Sequence, residues 1–242
     1  MDKLSMKRLP HSVLLAAIIL VAFCPNAYAQ SLSEDAAAFQ EGKAPKFSTK
    51  GHPKSKGAVF TIKYPPSWKA LEGERPNVVQ KFVSEYGKGL EMAMILTKSI
   101  PSNVRFTQAD VRAMVSPEGL KDLLPDGAKL LKVKTTKIEG ETAGLIEFST
   151  RMERAGAEVD FQTLMLVFFQ GRTMVSLQFQ IGALPSDPGA LPSRFEKFRP
   201  LFNLMMNNIV FVLDVSGSMA MNVSPGVSRY DAAMQNIRAF CR

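Results

Sequence analysis

Asp214, Ser216 and Ser218 carry the most specific chemical pattern in this sequence of 242 residues. At alternate positions, one carboxylate and two hydroxyl oxygens can turn toward a shared point, the hard-oxygen environment that Mg²⁺ favours. Gly217 between the serines lets the loop bend tightly. The triplet supplies only part of a near-octahedral shell, so Mg²⁺ is expected only if further oxygens complete the site. Other reactive constellations are missing from the sequence. His11 lies in the leading segment and His52 among lysines, which leaves a Ser-His-Asp arrangement without a placed imidazole. Cys24 and Cys241 are the cysteines, and Cys241 is penultimate, where no enclosing site for a nucleophile can be argued. Glu139 and Glu141 fall in a turn and read as solvent-facing charges, and Gly87-Lys88-Gly89 lacks the strand, loop and helix order of a phosphate cradle. The chain therefore reads as a binding protein and not an enzyme, with no cofactor required.

The elements around these residues begin with an export signal. Lys3, Lys7 and Arg8 precede the apolar run 13–23, and Ala27-Tyr28-Ala29 supplies small residues for a cut, so residues 1–29 read as a cleavable signal peptide. The run is well short of the roughly 20 residues of a membrane-spanning helix. Phe23 and Pro25 around Cys24 do not fit a lipidation site, where a small residue stands directly before the cysteine. The expected product starts at Gln30 and is periplasmic or secreted.

Of the formal charge of +8, much lies in Lys43, Lys46, Lys50, Lys54 and Lys56, among Gly, Pro and Ser. Residues 30–57 are accordingly expected to be a basic flexible linker, able to make weak contact with an anionic membrane surface. No nucleic-acid motif is present, and an exported protein has little occasion to meet one.

From residue 58 to 213 the pattern is that of one α+β domain. Strands are predicted over 58–64, 78–85 and 90–97, the last two joined across Gly87-Lys88-Gly89 as a hairpin. Thr107 with Asp110, and Ser116 before Pro117, start two short helices within 107–124. A meander follows, with strands at 129–138, 142–153, 158–170 and 173–182 divided by tight turns, which implies a largely antiparallel sheet. Continuous apolarity over 164–169 suits a central strand covered on both faces. Val175, Leu177, Phe179 and Ile181 instead alternate with Ser176, Gln178 and Gln180, predicting a neighbour with one wet face. Phe195, Phe198, Phe202 and Met205 form one helical stripe, kinked at Pro200, that should cover the sheet. At such spacings most of the 16 Phe and 13 Met are core residues.

The strand 59–63 running into Tyr64-Pro65-Pro66-Ser67-Trp68, with the hairpin, the meander and the closing helix before Asn208-Ile209-Val210-Phe211, resembles the PsbP-like family of α/β/α sandwiches. The resemblance implies a largely antiparallel sheet covered by helices and a binding or assembly role with a protein partner. Trp68 is the residue it carries over, read as an aromatic plug at a sheet end.

Residues 208–242 resemble the start of a von Willebrand factor type A domain. Asp214, Ser216 and Ser218 match the first motif of its metal-ion-dependent adhesion site, and Met234, Ile237 and Phe240 mark a helix behind the loop. The family's later strands have no counterpart in this sequence, so the segment is expected to be an incomplete module. Its strand 209–213 should be shared with the preceding sheet, since a lone apolar strand invites aggregation. The alternative function implied is divalent-cation-dependent adhesion.

Overall fold

A computed structural model describes residues 25–85, 90–101, 108–154, 156–186, 189–212, 222–224 and 227–228. The meander forms as its turns dictate: β6 (Lys129–Ile138), β7 (Glu141–Arg154), β8 (Ala157–Gln170) and β9 (Thr173–Ala183) pair antiparallel in succession. Between β6 and β7, Glu139 and Gly140 both take positive φ, 48° and 84°, the left-handed pair that a two-residue hairpin needs. The sheet continues through β5 (Glu91–Ser99) and β4 (Val78–Ser84) to a strand the sequence reading missed, β3 (Trp68–Glu72). Its order is β3-β4-β5-β9-β8-β7-β6, with every pairing antiparallel. This is the expected α+β class.

Two layers cover the sheet. On one face lies α4 (Ala190–Asn207), whose Phe195, Phe198, Phe202 and Met205 meet Leu164, Leu166, Leu177 and Phe179 in the main core. The helix runs through Pro200, which is exposed, so the hydrogen bond lost to the ring lies on the solvent side. On the other face α2 (Gln108–Met114) and α3 (Pro117–Leu123) bring Leu120 and Val115 over Ile146, Phe148, Met165 and Val167. Ser116 caps α3 as expected, its hydroxyl accepting from the Gly119 amide at 3.3 Å. Gly144 makes this approach feasible, because a Cβ there would come within 2.6 Å of Val115 Cγ1. Thr107 and the loop 86–89 lie outside the described residues.

Three expectations are corrected. The polar side of β9 is not wet: Ser176 and Gln180 are buried. Gln180 Nε2 donates to Thr163 Oγ1 on β8 at 3.2 Å and Gln178 Nε2 to Met165 Sδ at 3.6 Å, so cross-strand partners replace water at the two glutamines, while the Ser176 hydroxyl has no hydrogen-bond partner among the described residues. The strand predicted at 209–213 pairs within the preceding domain as expected, but its described residues do not join the large sheet. As β10 (Ile209–Phe211) it pairs with β2 (Phe60–Lys63), which also pairs with β1 (Lys46–Ser48), and this small sheet packs Phe60 against Phe168 at 5.7 Å.

The third correction concerns residues 30–57. They are built into the domain: α1 (Pro25–Gln40) packs on α4, β1 follows, and Pro53–Ser55 make a 3₁₀ turn. Polar composition prevents a segment from burying a core of its own, but not from borrowing one, and here Phe39 and Ala44 join a core built from residues far along the chain, while Thr49 is buried beside β2. Thr49 Oγ1 donates to Ala58 O at 2.8 Å. Lys54 Nζ meets Glu72 Oε1 at 3.1 Å, Lys56 Nζ donates to Thr97 O at 3.2 Å, and Lys43 pairs with Glu41 at 2.7 Å. These lysines are committed to the protein itself.

Asp35 on α1 supplies a pH test. Its carboxylate accepts from Ser67 N at 3.1 Å and Ser67 Oγ at 2.6 Å, tying the helix to the turn before Trp68. Burial raises its pKa above the ordinary carboxylate value, outweighing the Ser67 hydrogen bonds that lower it. Between the ordinary and the raised value the folded state binds more protons than the unfolded one, so this group's contribution falls as pH rises through that window. Relative to Asp35→Asn, the parent should gain stability on acidification from neutral pH toward the carboxylate range. Urea midpoints of both chains across pH check this; a parent that loses ground to the variant on acidification would contradict it.

Candidate functional site

Asp214, Ser216 and Ser218 lie outside the described residues, as do Cys24 and Cys241. Within the adjoining segment, β11 (Asn222–Ser224) and β12 (Val227–Ser228) pair antiparallel. Among the described residues no group of three or more His, Cys, Asp and Glu could hold a metal ion. His52 caps the 3₁₀ turn, its Nδ1 accepting from the Lys54 amide at 3.2 Å. Trp68 is buried at the start of β3 with its ring 6.3 Å from Phe198, a packing position that suits the plug reading.

What the fold does build is a groove between β6 and α4. Two adjoining hollows of about 490 Å³ and 500 Å³ share Lys134, Leu145 and Asn203 as lining. Leu145, Leu164 and Leu166 lie at the floor, on strands β7 and β8. The wall on the sheet side is β6, where the pleat sends alternate side chains to alternate faces. Opposite Glu147, Leu145 and Ala143, its residues Lys132, Lys134 and Thr136 stand on the α4 side, and Lys137 lines the far end. A register shift between Leu130 and Lys132 admits Leu131, which is 46% exposed at the groove mouth.

The opposite wall is a charged clasp centred on Arg199. Its Nη2 donates to Glu147 Oε1 at 2.9 Å and Oε2 at 3.0 Å, and its Nε donates to Glu196 Oε2 at 2.8 Å. Glu147 is buried and also accepts from Gln162 Nε2 at 2.7 Å, while the guanidinium carbon sits 4.9 Å from the Phe195 ring centroid. Hydrogen bonding to Arg199 holds the Glu196 carboxyl below the usual carboxylate range, and Lys132 adds to the effect. One guanidinium thus serves two carboxylates, and Lys132, which stands opposite Glu147 and acts on Glu196, supplies further positive charge. Lys132, Lys134 and Lys137 make no salt bridge among the described residues; Lys132 stands opposite Glu147 at the clasp, while Lys134 stands over the apolar floor at Leu145 and Lys137 lines the far end.

None of these residues was singled out from the sequence as functional. The signal was present in Lys132 and Lys134 flanking Val133 at period two. Their common face became meaningful only with α4 opposite.

No known family and no curated protein matches the sequence. Three solved structures are similar to it. Cyanobacterial PsbP (CyanoP) from Synechocystis sp. PCC 6803 shares 15% identity over 69% of this chain and 92% of its own, with a TM-score of 0.45. LpqN, involved in cell envelope biogenesis of Mycobacterium tuberculosis, shares 14% over 74% of this chain and 96% of its own, with a TM-score of 0.42. The Saccharomyces cerevisiae Ran-binding protein Mog1p shares 16% over 70% of this chain and 95% of its own, with a TM-score of 0.44. A PsbP is thus among the structures similar to the chain. The likeness is one of chain course.

Proposed function

We propose that the chain is an exported, non-enzymatic binding or assembly factor that receives a protein partner in the groove between β6 and α4. The observation that carries this reading is the juxtaposition of Lys132, Lys134 and Lys137 with an apolar floor, open to solvent and long enough for an extended segment. Glu147 and Glu196, the carboxylates best placed for acid or base chemistry there, are both held by Arg199, which suits a structural clasp better than proton transfer. Export rests on the layout of residues 1–29. Ser31, Asp35 and Phe39, buried among the described α1 side chains, follow Ala29 and stay with the chain after a cut there. Among the described residues no helix is long and apolar enough to cross a membrane.

The test uses chain recovered from exporting cells, whose mass should report a start at Gln30. Reversing two groove charges, Lys132→Glu with Lys134→Glu, should weaken capture of its co-purifying envelope protein by about tenfold or more, because like-charge juxtaposition costs several kcal/mol. The urea midpoint should fall modestly, since Lys132→Glu sets a carboxylate opposite Glu147, and Lys132→Gln with Lys134→Gln serves as the control that avoids this. Undiminished capture by the reversed chain would remove the groove from consideration.

A further inference from the structure

We propose that the partner enters as an added strand on β6: an extended segment with acidic side chains at alternate positions and apolar ones between them. This rests on the reading of the groove as the partner site and specifies what fills it.

β6 ends the seven-strand order, and among the described residues nothing pairs with its outer edge. A free edge presents a row of backbone donors and acceptors that an extended peptide can satisfy. At 10 residues β6 offers a long template, whereas β3 at the opposite edge has 5, and Lys54 reaches across its end to Glu72 and the Gly73 carbonyl.

The pleat determines which partner fits. A strand laid beside β6 places every second side chain on the α4 face, opposite Lys132, Lys134 and Thr136, where acidic groups meet ammonium groups directly. The intervening side chains fall opposite Val133 and Thr135, beside the second core cluster, and near Leu130, which is 40% exposed. An apolar residue suits those positions. A strand apolar on both faces would bury the lysines without a counter-charge, which edge lysines serve to prevent. A second copy of β6 is disfavoured on the same ground in the central register. Paired antiparallel about Val133, it would set Lys132 against Lys134 and Lys129 against Lys137, and like charges directly opposite are destabilising.

The experiment titrates the full chain with three synthetic peptides while amide exchange is followed by NMR. One alternates Glu with Val; the second has the same composition with all Glu preceding all Val; the third is the alternating peptide N-methylated at both Glu and Val positions, so that neither edge can pair. The alternating peptide should bind and slow exchange of β6 amides, and the other two should each bind about tenfold more weakly. Lys132→Gln with Lys134→Gln should weaken the alternating peptide by about tenfold as well. Equal binding of the block or N-methylated peptide, or binding without protection of β6, overturns strand addition and leaves the groove as a charged surface. Unchanged affinity in the Lys→Gln chain overturns the acidic specificity. Stronger binding to phosphatidylglycerol vesicles than to any peptide overturns a protein strand in favour of a lipid surface. Failure of every probe against a folded chain overturns the proposal. Failure of the groove itself is read separately, from capture by the charge-reversed chain.

Discussion

Replacing Phe179 by alanine is expected to destabilise the domain by about 3 to 5 kcal/mol. The side chain is fully buried at the middle of β9, between Ala93 of β5 and Leu164 of β8, with its ring 5.1 Å from that of Phe202 on α4. Truncation there removes apolar surface from the main core and leaves a hole that the surrounding strands, hydrogen-bonded on both sides, cannot collapse to fill. A loss of that size is a large fraction of the roughly 5 to 15 kcal/mol that holds a domain folded. Equilibrium urea unfolding reads it as a lowered midpoint with an unchanged slope. Phe179→Leu should keep the greater part of the stability, because volume is largely conserved. A change within about 0.5 kcal/mol, the size typical of surface substitutions, would mean that α4 does not press on β9 as described.

Arg194→Ala should cost a similar amount, about 3 to 5 kcal/mol, by an electrostatic route. Glu91 opens β5 with its carboxylate wholly buried, and the Arg194 guanidinium of α4 donates to its Oε1 through Nη2 and to Gly182 O through Nη1 at 2.9 Å. The pair clamps the start of α4 to two central strands. Removing the arginine leaves a buried negative charge without its counter-ion, and desolvation of that charge then opposes folding. Adding Glu91→Gln to the Arg194→Ala chain should recover part of the loss, since a buried amide is less costly than a buried carboxylate. Urea unfolding of the single and double variants checks both statements. Equal stability of parent and Arg194→Ala would show that the clamp contributes nothing.

The two residues differ in how visible they are beforehand. Phe179 belongs to an alternating apolar series whose inward direction can be read off the residues, and its burial follows. Glu91 looks like an ordinary acidic residue at a strand start. Nothing within reach along the chain signals that Arg194, on a helix introduced much later, arrives over it. The groove is hidden in the same way. Lys132 and Lys134 read as solvated charges on a strand, and Arg199 as a helix charge beside Glu196, until the tertiary arrangement sets Glu147 beside Lys132 and Arg199 and Leu145 beside Lys134.

Local chemistry was sufficient wherever a residue and its immediate neighbours settle the conformation. The turns at Glu139-Gly140 and Gly171-Arg172, the Ser116 cap, the period-two strands of the meander and the period of the α4 stripe all act within a few residues, so the sequence alone determined the α+β class and most of the large sheet. Only tertiary structure decided the rest. Residues 30–57 acquire order because Phe39 and Ala44 are taken up by a core built from distant parts of the chain, and β10 leaves the large sheet because β2 is its partner. The groove exists because α4 crosses beside a strand that ends the sheet. In each case the deciding energy comes from apolar burial or charge pairing between segments far apart in the chain, and such pairing leaves no periodic trace in either segment.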